Sequence, residues 1–252
     1  MSSILYLGDT SLTTAASYLA GVIHNAGWAF DYVPSGQTAD AEAIETPRSL
    51  FILSDYPAEH LSEPLQQSLL QQVSQGAGLL MLGGWESFQG SGGRWRNSSV
   101  ALALPVEIAE TDDRLNCDQP MLAETTAETA AGHPILKGLP WNDRPPCLGG
   151  LNQFAPQPDA HLLLQAQRFA ARRQEGAFSF APTETYPLLV VGEYGRGRTA
   201  ALATDAAPHW IGGWVDWGKQ RVSAQAPGAE EVEVGEDYAR FFTQLLGWTG
   251  RI

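Results

Sequence analysis

The stretch QGAGLLMLGGWESFQGSGG (Gln75–Gly93) decides how this chain folds. Gly76 to Gly78 stop a helical pattern, Ala77–Leu82 is an unbroken apolar run of strand length, and GGWESF turns abruptly at its end. An apolar run without polar alternation fits a strand buried on both faces. A strand entering a tight glycine-rich turn is also the setting of an elbow that strains the backbone and holds one side chain above a sheet.

Working upstream, a helix over about Leu61–Gln75 follows Pro57 and Pro64, with Leu65, Leu69, Leu70 and Val73 on its apolar face. SLFILSD (Ser49–Asp55), AFDYVP (Ala29–Pro34) and SILYLGD (Ser3–Asp9) read as three more strands. Between the first two strands of the chain, Ser11–Asn25 places Leu12, Ala15, Ala16, Leu19, Val22 and Ile23 on one helical face, and Gly27 ends it. Strand and helix in alternation predict a parallel sheet covered on both faces. Right-handed crossovers then gather the strand-to-helix loops on one edge, where ligands bind in open sheets. That edge carries Asp9, Asp55 and the Gly83–Trp85 turn.

Downstream, residues 90–158 lose periodicity and read as an elaborated insertion with short strands near Ala101–Ile108 and Met121–Ala123. Ala160–Gln167 is a strand, and Pro187–Asp205 is two strands joined by a turn at Tyr194–Gly197. Ser223–Gly235 reads as a mobile loop, and Glu236–Trp248 as a last helix presenting Tyr238, Phe241, Phe242, Leu245 and Leu246. No linker separates self-contained halves, so residues 1–252 are expected to form one domain, with 216–252 its C-terminal loop and helix.

The chain has 252 residues, 15 basic and 28 acidic, for a formal net charge of −13. That balance argues against nucleic acid, whose phosphates need basic surface, and against anionic lipid. Two cysteines, Cys117 and Cys147, exclude a disulfide-dense scaffold, and without clustered Cys and His no metal or other cofactor is expected. No apolar run approaches the ~20 residues that span a bilayer, and MSSILYLGDT has no basic leader region. The expectation is a cytoplasmic protein.

Three segments in order carry a resemblance: the helix, GAGLLMLGG and WESFQG; then AGHPILKGL (Ala131–Leu139); then GRTAALATDAAPHW (Gly197–Trp210). Over roughly residues 1–215 they resemble the class I glutamine amidotransferase-like superfamily. More narrowly, they resemble its uncharacterised "putative glutamine amidotransferase" branch, akin to trehalose-utilisation-type proteins. The resemblance implies a flavodoxin-like three-layer α/β/α sandwich with a mostly parallel sheet. It also implies an elbow cysteine in a G-x-C-x-G context, and a late His with a Glu two residues on. Here the elbow holds Gly83, Gly84 and Trp85, and neither Cys117 (RLNCDQP) nor Cys147 (RPPCLGG) has an elbow context. Ile211 stands two residues past His209. The attacking thiolate is missing, so the fold carries over and the glutaminase activity does not.

Ser87 is the hydroxyl nearest the elbow, with His209 as its candidate base and Asp205 a further catalytic candidate. Asp9, Asp55 and Asp205 each follow a strand and together form a candidate acidic site for a cation or polar ligand. Equally, Asp9 before TSLTT and Asp55 before YPAEH fit helix caps or turns. Gly83, Gly84, Trp85, His133 and Trp210 complete the candidate ligand-binding set. His133 also reads as a backbone-bonded loop residue, and His209–Trp210 as packing. Trp85, Trp95, Trp210, Trp214 and Trp217 offer aromatic platforms for a sugar ring, a peptide or a protein, or else a satellite core. Arg94 and Arg96 suit a carboxylate or phosphate, but the glycine stretch lacks the Lys-Ser/Thr of a phosphate loop. The leading expectation is a non-catalytic binding or assembly protein for a small molecule or protein partner, with homo-oligomers favoured by Trp-rich loops. The rivals are a hydrolase built from Ser87, His209 and the strand-end aspartates, and a sugar-binding protein.

Overall fold

The computed structural model describes residues 3–126 and 132–252. Ala131 of the AGHPILKGL segment and Met1–Ser2 of the N-terminal stretch lie outside the described residues. The central sheet has eight strands: β1 (Ser3–Gly8), β2 (Ala29–Val33), β3 (Leu50–Ser54), β4 (Gly78–Leu82), β7 (Met121–Thr125), β10 (His161–Gln174), β11 (Ala177–Tyr194) and β12 (Gly197–Leu202). Their order is β2-β1-β3-β4-β12-β11-β10-β7. The first five run parallel, and β11, β10 and β7 add an antiparallel flank. Short strands β5 (Val106–Ile108), β6 (Arg114–Asn116), β8 (Gly150–Asn152) and β9 (Phe154–Pro156) form two small ribbons, β5–β9 and β6–β8, in the insertion. The expected α/β class and flavodoxin-like layering stand.

The helices are α1 (Ala16–Asn25), α2 (Ala41–Glu45), α3 (Glu63–Gln75) and α4 (Glu236–Gly250), with a helical turn at Pro208–Ile211. The chain moves outward from β1 to β2 through α1, then back across β1 to β3 through α2 and on to β4 through α3. Right-handed crossovers put α1 on one face and α2 and α3 on the other, and α4 packs beside α1. β3 and β4 are buried at every residue, which is why their sequences are continuous rather than alternating. In α4, Tyr238, Phe241, Phe242, Leu245 and Leu246 face the sheet, as their spacing predicts.

Three expectations are corrected. Ser223–Gly235 is an ordered hairpin, β13 (Arg221–Ala224) with β14 (Val232–Gly235), because Ala224, Val232 and Val234 bury against α1. α1 begins at Ala16, because Ser11–Ala15 closes a turn in which the Ser11 carbonyl accepts from Thr14 and Ala16. The 160–167 strand is the base of a much longer arm, since β10 and β11 pair from His161–Val191 out to Gln174–Ala177.

Register sets the site. Gly8 pairs with Ser54, Ser54 with Leu82, and Leu82 with Leu202. The carboxyl ends of β1, β3, β4 and β12 are therefore level, and the next residues, Asp9, Asp55, Gly83 and Ala203, form one row.

Candidate functional site

Asp9 and Asp55 both leave their strands with left-handed backbones, φ +54° and +50°. Neither caps a helix, and both sit where the chain turns as it leaves its strand. Asp9 must turn at once because Gly8 lies against β3: a Cβ at Gly8 would meet the Ser54 carbonyl at 1.6 Å. Non-glycine residues enter this conformation at roughly 1 kcal/mol or more, which the surrounding structure must offset.

Asp9 is buried, the Tyr6 hydroxyl donates to its Oδ2, and its Oδ1 has no partner. Burial raises its pKa to about 7, the Asp55 charge adds to the rise, and the Tyr6 bond opposes it. Asp205 is also fully buried. Its Oδ1 accepts from the backbone N–H of Ala206 and, at 3.0 Å, of Ala207. Its Oδ2 lies 3.1 Å from His209 Nε2, an ion-pair distance without hydrogen-bond alignment. Burial and then the Asp9 charge push Asp205 well above the usual carboxylate range. Asp55 is raised by burial, with the Glu86 N–H bond and the His209 charge opposing. The fold thus brings the three predicted aspartates to one edge. Among the described residues, however, no three His, Cys, Asp or Glu side chains are arranged to hold a metal ion.

The turn after β4 is built from glycines for want of space. A Cβ at Gly83 would stand 2.0 Å from the Ala203 carbonyl, and one at Gly84 2.5 Å from Asp55 Oδ1. Gly83 N–H donates to both the Leu202 and Thr204 carbonyls, at 2.8 and 3.0 Å. Asn152, from β8, clamps Gly84: its Oδ1 accepts from Gly84 N–H at 2.9 Å and its Nδ2 donates to the Gly84 carbonyl at 3.1 Å. The same Nδ2 donates to Asp113 at 2.7 Å, and Asp113 accepts from the N–H groups of Gln89 and Gly90. None of Gly83, Gly84 and Trp85 has a positive φ, so the strain expected of an elbow lies instead at Asp9 and Asp55.

The turn presents Trp85, 49 % exposed, over an open cleft of about 510 Å³. Asp55, Trp85, Glu86, Ser91, Asn116, His209 and Trp210 line it. The Arg114 guanidinium covers the Trp85 ring at 4.4 Å. Trp210 donates its indole N–H to Asn116 Oδ1 at 2.8 Å. His209 reaches the cleft with the buried Asp205 behind it. Glu86 is raised by partial burial and by the Asp55 charge.

Other candidates lie elsewhere. Ser87 is buried, its Oγ accepts the Asp55 N–H at 2.9 Å, and it does not line the cleft. His133 packs at 4.9 Å on Trp248, near the far end of α4 and so toward the opposite sheet edge. Trp95 and Trp214 are fully buried, and Trp214 and Trp217 pack with Trp141 and Phe241, so most of the tryptophan set is core. Arg94 and Arg96 are paired with Glu59 and Glu110. Neither cysteine lines the cleft, and burial lifts the Cys117 thiol to about 11, which keeps it protonated. Sequence reading missed Glu86, Ser91, Asn116, Arg114 and the Asn152–Asp113 clamp. The polar run TDDRLN (Thr111–Asn116) was the available signal for three of these.

No curated protein sequence matches this chain. Solved structures do. Cytoplasmic protein STM3548 from Salmonella typhimurium is 23 % identical over 98 % of each chain, with a TM-score of 0.72. Cytoplasmic protein STM1381 from the same species is 23 % identical over 98 % of this chain and 99 % of its own, at 0.74. A ThuA-like protein from Bacteroides uniformis is 12 % identical over 98 % and 91 %, at 0.56. At these identities the likeness establishes the fold. The family model described as "Putative glutamine amidotransferase" matches residues 51–222. That match spans more than half of the chain, from β3 through the elbow turn and His209 into β13, and the protein therefore belongs to this glutamine amidotransferase-like family.

Proposed function

We propose that this family member does not hydrolyse glutamine and instead binds a small, neutral, hydroxyl-rich ligand of the sugar class in the cleft beside Trp85. The observation that carries the reading is the turn after β4, which offers an indole and two neighbouring carboxylates where glutaminase chemistry needs a thiolate. An exposed indole packs on the C–H face of a sugar ring, and the Asp55 and Glu86 carboxylates accept hydroxyl protons in charge-assisted bonds. Asn116 and Ser91 add orienting polar groups, as small-molecule sites require.

The protein works as one domain in the cytoplasm, without nucleic acid or membrane partners. Two free cysteines suit a reducing compartment, and the net charge of −13 repels phosphate backbones and anionic lipid. The test is a thermal-shift and calorimetric screen of neutral monosaccharides, disaccharides and polyols, run beside an assay for ammonia release from glutamine. Saturable sugar binding with no ammonia release is the expected result. Glutamine turnover that Cys117→Ser or Cys147→Ser abolishes would overturn it.

A second reading rests on one specific distance. His209 Nε2 is 3.1 Å from Asp205 Oδ2, and the imidazole opens onto the cleft. An imidazole that opens onto a cleft can act as general base for a bound water, and Asp205 lies within ion-pair distance behind this one, so ligand hydrolysis is the rival activity. In that reading water is the nucleophile and Ser87 holds the Asp55 backbone. Product formation that survives in His209→Ala would remove it.

A further inference from the structure

We infer that the distal β10–β11 arm is an interface that pairs this chain with a second copy of itself. Only the base of the arm is supported by the sheet. β7 pairs with Leu164–Arg168 of β10, and β12 pairs with Leu189–Tyr194 of β11. Beyond that base, among the described residues, Phe169–Gln174 and Ala177–Pro182 make ladder pairs only with each other. Two anchors near the base are the N–H of Phe169 on the Pro120 carbonyl and that of Ala171 on Gln119 Oε1. An isolated two-stranded ribbon is marginal in water, because it needs a third strand or a packed face to hold it.

The register gathers the apolar side chains on one side of this ribbon. Phe180 stands opposite Ala171, Pro182 opposite Phe169, and Phe178 opposite Arg173. Directly opposed residues share a face. Phe178 and Phe180 are 65 % and 59 % exposed, two of the four large apolar side chains left open to solvent among the described residues. Past the two anchors, neither outer edge of the ribbon has a neighbouring strand among the described residues, and unpaired edges are templates for pairing with another chain.

Charge selects a second copy as the occupant. Arg172 and Arg173 sit at the tip, and neither is in an ion pair among the described residues. The rest of a chain of net charge −13 is strongly acidic. Against Glu175 at the turn, these two arginines leave the distal arm with a net positive charge, complementary to the acidic body of its own twin, and a two-fold axis makes each contact twice. The area is sufficient. With about three-fifths of each ring open, four Phe from two copies supply on the order of 500 Å², and the exposed ribbon face around them on both copies supplies the rest of the order of 1,200 Å² that a stable interface needs.

The inference is independent of what the cleft binds. It is tested by sedimentation equilibrium of the full chain from about 1 to about 100 μM, beside Phe178→Ser/Phe180→Ser and Arg172→Glu/Arg173→Glu. All four side chains are exposed, so folding is expected to survive and is checked by circular dichroism. The expected result is a native species of twice the 27.2 kDa chain mass, with at least one double variant raising the dissociation constant by about tenfold or more. A native chain that stays monomeric throughout the range overturns the inference, whatever else the arm then captures. A dimer that withstands both double substitutions overturns it as well.

Discussion

Replacing Asp9 by Asn tests whether the cleft rests on a buried carboxyl that resists ionisation. Burial first, and then the Asp55 charge, lift Asp9 from its ordinary 3.8 to about 7. An acid whose folded pKa is raised holds its proton in the native state over a range where the unfolded chain has released it. Native stability therefore falls as pH rises from about 4 through about 7 and stays low above that. Asp205, raised in the same direction, steepens the fall. The whole displacement corresponds to a ceiling of roughly 4 kcal/mol, of which roughly 2–3 kcal/mol falls between about pH 5 and about pH 8. Asn keeps an acceptor for the Tyr6 hydroxyl and removes the titration, while exchanging a buried oxygen for NH2 costs on the order of 1 kcal/mol at every pH. The difference between the two proteins, rather than either absolute stability, is the diagnostic. Paired thermal melts at about pH 5 and about pH 8 are expected to move in Asp9→Asn's favour by roughly 5–10 °C on going to the higher pH. Parallel pH profiles of the two proteins would refute the burial argument.

Asn152→Leu removes the clamp on Gly84 and strands Asp113, so urea melts should show a loss of roughly 2–4 kcal/mol. Gly84→Ala forces a methyl against Asp55 Oδ1; it should destabilise by about 1–3 kcal/mol and abolish ligand stabilisation in thermal shift. Cys117, raised to about 11 by burial, has on the order of one thiolate in 10,000 at pH 7. Mass spectrometry after timed alkylation should therefore find the exposed Cys147 labelled first, and Cys117 labelling should climb about tenfold per pH unit from pH 7 to 9.

The parts of the molecule legible in the sequence are those whose period is local. Ala77–Leu82 and Ser49–Asp55 read as buried strands because both faces are covered, and Phe241, Phe242, Leu245 and Leu246 fall on one helical face whatever surrounds them. The row of Asp9, Asp55 and the Gly83 turn follows from strand ends alone, since a parallel sheet levels them. The remainder depends on contacts between distant segments. Asn152 lies 68 residues from Gly84, and nothing local marks it as a clamp. Arg114 and Asn116 sit in a three-residue strand too short to show alternation, and Asp113 lies in the loop just before it. Ser223–Gly235 carries Pro227 and Gly228 and only a short Val232–Val234 alternation, and it is burial against α1 that makes it a hairpin. Ser87 looked available because it follows the turn, yet its hydroxyl is taken by the backbone of Asp55, 32 residues away.

Binding at Trp85 is the quantity to measure first. The native protein and Trp85→Ala are titrated calorimetrically with the neutral sugar and polyol series. Trp85 is half buried and holds the Arg114 guanidinium, so the variant should lose roughly 1–3 kcal/mol of stability and still melt cooperatively. The cleft reading predicts one-to-one saturation by at least one hydroxyl-rich ligand and an affinity at least about tenfold weaker in Trp85→Ala. No heat from any ligand, or binding that Trp85→Ala leaves unchanged, would contradict it.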